Sequence, residues 1–330
     1  MSLGPWLDLM TLFFLISYGL SLVVAVMPVP VGDASLRVRA RQRRLLLPPV
    51  AAGLTLVVGF GSGFPFVAHH GAGHPLFHAA GLGHEGTAHD AVVLTILAIC
   101  ASLVVWSAFQ WGHTRGRLRL LEKVGMPHGE AAIRQMLTAS GLDWPGKVNV
   151  VDFSLPICFV HGILRPHLVV STAVLDGLAE RDVQAMVAHE LAHVTRRDNL
   201  WRIIGHLALL GHLPGLGRRA FRDWALAVEV ACDTAAARHV GSSVAVAEAL
   251  VHFQRRITQV GPADGTLPLE VAFHGSAGLE TRVRVLLAPP TARAWQRWLQ
   301  WWPLALLLLG AWQVATLHAG LDYVLQVLHP

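Results

Sequence analysis

The stretch ERDVQAMVAHELAHVTR, residues 180–196, decides how the rest of the chain is read. Its apolar residues recur every three to four positions behind an acidic first turn, which predicts an amphipathic helix. On that helix His189 and His193 stand at i and i+4, so both imidazoles leave one face and can close on a single zinc ion. Glu190 follows the first histidine directly. A carboxylate there can take a proton from a water whose pKa zinc has lowered to roughly 7, leaving a hydroxide able to attack a carbonyl.

Two histidines are not enough for a catalytic zinc, which takes three protein ligands and keeps a fourth position open. A second helical run, about 221–239, supplies the missing ligand in Glu229-Val230-Ala231-Cys232-Asp233. Glu229 and Asp233 share a face of it. Glu229 completes a two-histidine, one-glutamate set, and Asp233 fits as acceptor for the outer ring N–H of a ligand histidine, fixing its tautomer. The alternative is a solvated helix edge, but Ala225, Leu226, Ala227, Val228 and Ala231 make the surroundings apolar. Cys232 projects about 100° away from this pair. With Cys100 and Cys158 it forms no paired or C-x-x-C spacing, so all three cysteines are expected to be free thiols.

HELAH at 189–193, Arg196-Arg197-Asp198 after it and the Glu-x-Ala-Cys-Asp at 229–233 together resemble the M56 membrane metallopeptidases, the family of the β-lactam-sensing signal transducers. The M48 peptidases are more distant relatives. Phe159-Val160-His161-Gly162-Ile163-Leu164-Arg165-Pro166 and the following Leu168-Val169-Val170-Ser171 resemble that family's strand segment leading into the active-site helix. The resemblance is good over about 145–240. It implies one zinc per chain held by His189, His193 and Glu229, with Glu190 as general base.

Composition sets the expected surroundings. Of the 330 residues 53% are hydrophobic and only 14% charged, and mean hydropathy is +0.49, which together indicate a membrane protein. Apolar runs long enough to span lie at about 6–29, 45–68, 91–111 and 302–321. The first lacks a basic leader and is read as a retained helix. Arg37, Arg39, Arg41, Arg43 and Arg44 follow it, Arg115, Arg117, Arg119 and Lys123 follow the third, and Arg293 and Arg297 precede the fourth. By the excess of positive charge on cytoplasmic flanks, these face the cytoplasm, and both termini lie outside. The expected fold is therefore an α-helical protein with four transmembrane helices in the inner membrane. A cytoplasmic α+β zincin-like domain sits between spans three and four. In domains, 1–111 is the membrane region, 112–300 the metallopeptidase and 301–330 the last span with a short external tail.

Net charge of +5 and a pI near 9.7 do not call for nucleic acid, since most of the excess sits beside the spans, where it attracts anionic lipid. Partners are thus a protein or peptide substrate and the lipid bilayer. Within the domain, 130–140 reads as helix and 148–153, 157–160 and 168–171 as short strands. The likeliest edge strand, around 154–161, would bind an extended substrate by its main chain. His161 there is either an oxyanion partner or a surface residue. Residues 201–214 are apolar but cannot cross a membrane without parting Glu229 from His189. They either lie at the membrane or belong to the core, and His206 and His212 within them read as bystanders. Arg282, in a short helix at 279–287, either helps position the site or lies on a solvated face.

The loop 69–90 gathers His69, His70, His74, His78, His84 and His89, a composition suited to metal or proton sensing or to a plain glycine-rich loop. The chain ends at Pro330, about ten residues beyond the fourth expected span, so no β-lactam receptor role is expected. The function expected is a membrane-embedded zinc endopeptidase acting on a cytoplasmic or membrane-proximal protein, as in signalling by cleavage of a repressor or of its own chain. Two alternatives stand beside it: a quality-control or processing peptidase of M48 type, and a non-catalytic transducer with a structural metal.

Overall fold

A computed structural model describes residues 4–26, 29, 33–61, 127–260 and 278–289. Two helices come first, α1 (Gly4–Val26) and α2 (Ala34–Gly61). A third, α3 (Pro127–Ala139), precedes three strands, β1 (Lys147–Val151), β2 (Cys158–His161) and β3 (His167–Ser171). The remainder is helical: α4 (Thr172–Gly177), α5 (Glu180–Arg196), α6 (Asp198–Ala208), a 3-10 turn at Leu209–Gly211, α7 (Pro214–Val240), α8 (Ser243–Val260) and α9 (Leu279–Leu287).

The strands form one sheet in the order β1-β3-β2, with β3 parallel to β1 and antiparallel to β2. Val148 and Val150 of β1 and Leu168 and Val170 of β3 are buried in one cluster with Ile133 and Leu137 of α3 and Val183 and Val187 of α5. This is the period-two inner face of a sheet covered by helices. β2 is left at the edge, and only partly buried. It turns into β3 at Gly162, whose φ of 95° and proximity to the Arg165 carbonyl leave no room for a Cβ.

A second cluster joins α2, α5 and α7 through Ala34, Val38, Ala192, Trp224, Ala227, Val228 and Ala231. Alanines at the crossing of α5 with α7 let the two backbones approach, which is what brings their side chains to one point. α7 starts at Pro214, at the first position of the helix, where the missing N–H costs nothing, and stops at Gly241 with φ 77°. It begins earlier than the expected 221.

The expectation of four membrane-crossing helices is overturned: no described helix is long and apolar enough to cross a membrane. In α1 and α2 only part of the apolar run is used for packing, while Leu15, Leu22, Val26, Val50 and Leu54 are exposed. α1 turns Phe14, Ser17, Ser21 and Val24 inward, and Ser17 Oγ donates to the Gly211 carbonyl at 2.6 Å. α2 carries Arg37 to Arg44 within the same helix as its apolar half, and has Pro48 and Pro49 inside it. The expected spans at 91–111 and 302–321 and the histidine-rich loop 69–90 lie outside the described residues.

Residues 201–214 form the end of α6, the 3-10 turn and the start of α7. Gly205 is packed against Leu45 and Phe221 while Leu207 faces outward. His212 has a definite task here. Pro49 has no N–H for the Leu45 carbonyl four residues back, and His212 Nε2 approaches that oxygen at 2.7 Å in its place. Burial lowers the pKa of this imidazole, consistent with a neutral ring carrying its proton on Nε2.

Candidate metal centre

α5 presents His189 and His193 one turn apart, and α7 crosses them with Glu229. His189 Nε2 lies 3.2 Å from His193 Nε2 and 3.3 Å from Glu229 Oε2, and His193 Nε2 lies 3.6 Å from Glu229 Oε1. Three donor atoms therefore converge, all within 4.8 Å of one another. Two imidazole lone pairs and a carboxylate turned on one buried point repel unless a cation or a proton lies between them. Two nitrogens and one oxygen in that arrangement suit zinc with an open fourth position.

The outer nitrogen of each histidine meets its own carboxylate. Asp233 Oδ1 is 2.8 Å from His189 Nδ1, close in distance but off the line of the ring N–H, so that nitrogen has no well-formed hydrogen bond. Asp198 Oδ2 is 3.0 Å from His193 Nδ1 and 3.1 Å from Arg196 Nε. Asp198 thus favours the His193 tautomer whose Nε2 lone pair points into the site, and the Asp233 carboxylate beside His189 Nδ1 favours the same for His189 without a well-aligned hydrogen bond. The sequence motif contains Asp198, but its role was missed because it depends on the backbone turning back. Arg197 makes that turn with φ 55°, ending α5 and starting α6 at once. A left-handed non-glycine residue costs roughly 1–2 kcal/mol, strain stored directly beside the site.

Arg282 of α9 is the second residue whose part the sequence left open. It is not on a solvated face: 6% exposed, it donates through Nε and Nη2 to both Asp233 oxygens at 2.7 Å, and its Nη1 lies 3.3 Å from Glu229 Oε2. One guanidinium thus ties the third donor to the carboxylate behind His189.

These charges shape each other in the metal-free chain. Burial alone would lower the His189 pKa, but Asp233 and Glu229 reverse this and push it up to about 10. Burial would raise the Glu229 and Asp233 carboxyls. Hydrogen bonding from His189 and the charges of His193 and Arg282 hold Glu229 well below the usual range, and Arg282 and His189 hold Asp233 below it. Glu190 goes the other way: burial raises its carboxyl, with His193 and His189 only partly offsetting this.

Glu190 Oε2 accepts a hydrogen bond from the Val160 N–H at 2.9 Å. Because this N–H donates to Glu190 rather than to β3, it points away from β3 to the free edge of the sheet, and by alternation so does the main chain of Cys158. His161 closes β2, its ring 5.0 Å from that of His167. His206 bonds back to the Arg202 carbonyl on the outer side of α6.

Cys232 is buried, with Sγ 3.4 Å from His193 Nδ1 and 3.6 Å from Asp198 Oδ2. His193, Asp198 and Cys232 make a second group close enough to hold an ion. Its thiol, however, is pushed up by burial and by the charges of Asp198 and Glu229, which opposes the thiolate a metal needs. The set His189, His193 and Glu229 needs no thiolate, and Glu229 is held ionised.

Comparison with known proteins places the chain among peptidases. The family described as "BlaR1 peptidase M56" matches residues 78–260, more than half of the chain. A protease HtpX homologue of Burkholderia thailandensis is 34% identical over 82 residues, 24% of this chain and 28% of the relative. Homologues of the same description from Burkholderia mallei and Burkholderia pseudomallei are 33% identical over 82 residues, again 28% of their length.

Proposed function

The chain belongs to the M56 peptidase family, and from that premise we propose that it is a zinc-dependent endopeptidase with one zinc per chain. His189, His193 and Glu229 hold the metal and Glu190 is the general base. The convergence of both Nε2 atoms and the Glu229 carboxylate beside Glu190 and the free edge of β2 carries this reading. Bound there, zinc supplies Lewis acidity toward a peptide carbonyl and acidifies a water at its open position.

The chain's own residues account for the rest. The Glu190 carboxylate accepts a proton from water and returns it to the leaving amide nitrogen. The Val160 N–H fixes the rotamer of that side chain. Asp198 holds the proton on the outer nitrogen of His193, the Asp233 carboxylate attracts that of His189, and Arg282 keeps Glu229 and Asp233 ionised and in place. A substrate segment lying extended along β2 would bind by its main chain, which fixes its direction while leaving sequence demands loose. Such a site takes an unfolded or exposed segment of another protein, or of this chain itself, as in cleavage of a repressor or self-cleavage during signalling.

Glu190→Gln separates this from a structural metal site. The variant should keep its zinc and lose cleavage of an unfolded protein substrate by at least about 100-fold, the usual scale of a lost general base. Equal activity in both proteins, or absence of zinc from both, would overturn the reading.

A further inference from the structure

The arginines of α2 stand apart from the peptidase site, and the sequence reading assigned them to orientation and to a general attraction for anionic lipid, without a defined site. Arg37, Arg41 and Arg44 fall at i, i+4 and i+7, one face of the helix. That face turns toward α7: Arg41 Nη1 donates to the Asp223 carbonyl at 2.7 Å, and Ala34 and Val38 on either side of Arg37 pack with Trp224. All three guanidinium groups are half-buried rather than solvated.

Among the described residues, the buried side-chain atoms without a partner at this contact are Arg37 Nε, Arg41 Nε, Arg44 Nη2 and Trp224 Nε1. Every one is a donor. Buried polar atoms are nearly always paired, and leaving one unpaired costs about 1–3 kcal/mol, so four on two facing helices indicate a missing acceptor. Charge points the same way. Arg219 of α7 adds a fourth guanidinium beside Arg44, while among the described residues the carboxylates that face the row are Asp223 and Asp33. Four positive groups against two negative ones leave an excess of two. Burial without a matching counter-charge lowers the pKa of all three arginines, with the neighbouring guanidiniums adding to this at Arg37 and Arg44.

We propose that the contact between α2 and α7, where Arg37, Arg41, Arg44 and Trp224 meet and Arg219 lies beside them, binds a phosphate-bearing anion. Guanidinium forks match phosphate oxygens two at a time. From Arg37 to Arg44 the row is about 10 Å long at the helical rise, enough for a phosphodiester with its flanking groups. An anionic phospholipid headgroup and a soluble phosphate present the same oxygens. This site is independent of the zinc reading, because none of its residues touches the metal donors or Glu190.

The full-length protein is tested against inorganic phosphate by thermal shift and titration calorimetry. In parallel it is tested by flotation with vesicles of phosphatidylcholine alone or mixed equally with phosphatidylglycerol. Binding of phosphate identifies a soluble ligand. Flotation with the mixed vesicles alone identifies a lipid headgroup. In either case Arg37→Gln and Arg44→Gln should each weaken binding about tenfold, the scale of one lost charge-assisted hydrogen bond, and Arg44→Lys by less. Arg39→Gln, on the exposed side of α2, should change binding less than about twofold, since exposed charges contribute little. No binding of either probe by the wild type overturns the proposal whatever the variants do. So does an Arg39→Gln loss equal to that of Arg37→Gln, which would mean diffuse charge rather than a site.

Discussion

Arg282 holds both oxygens of Asp233 and reaches Glu229, so its loss should be felt at the metal although it is not a ligand. Arg282→Lys keeps the charge but loses the two-pronged geometry, and should weaken zinc about 10–100-fold, the range for a partner behind a ligand. Competition with a chelator measures it, and unchanged affinity would make Arg282 a plain structural ion pair. Asp198→Ala should fall in the same range through His193. The two histidines and Glu190 were legible in the sequence because i,i+4 geometry is local. Asp198 and Arg282 were not, since one depends on a left-handed Arg197 and the other on a helix that returns more than 40 residues after Glu229. The pKa shifts also set a pH dependence. His189 is raised from 6.5 to about 10 in the metal-free chain, so its protonated form stabilises that state fully below 6.5 and ceases to as pH rises through about 10. Glu229 and Asp233 are lowered, so their contribution is present above the ordinary carboxylate range and is lost on acidification. Zinc requires the unprotonated His189 Nε2. Loading at pH 7 should therefore release a proton and tighten as pH rises, seen as a calorimetric heat that depends on the buffer's ionisation enthalpy. A heat independent of buffer would contradict this.

At the level of elements, the crossing of α5 with α7 depends on small residues. Ala231→Leu would place bulk where Ala192 and Ala227 now allow close approach. It should cost about 1–3 kcal/mol and lower zinc occupancy with it, measured by urea unfolding and metal analysis. The joint between α2 and the 3-10 turn makes a second test. His212→Leu leaves the Leu45 carbonyl buried and unpaired, at about 1–3 kcal/mol. Pro49→Ala restores an N–H four residues on, and the double variant should recover most of the loss. Strict additivity would show that His212 acts otherwise. α5 and α9 matched the sequence reading at both ends, because each is bounded by clear polar or glycine signals. α7 was read seven residues short: Gly215 and Gly217 weaken the helical pattern that Pro214 in fact opens.

For the molecule as a whole, local periodicity identified the small sheet, its edge and the helix pair, while composition did not foresee that neither α1 nor α2 is long and apolar enough to cross a membrane. Hydropathy reports how apolar a run is and not what it packs against. Ser17 and Ser21 turned inward and a row of arginines turned onto α7 are tertiary facts that no window average contains. The central claim is that His189, His193 and Glu229 form the metal centre, and zinc-edge X-ray absorption of the zinc-loaded full chain tests it most directly. The account predicts a first shell of nitrogen and oxygen only, at about 2.0–2.2 Å, with two imidazoles. A sulfur at about 2.3 Å would place the ion with Cys232, His193 and Asp198 instead, and would contradict the account.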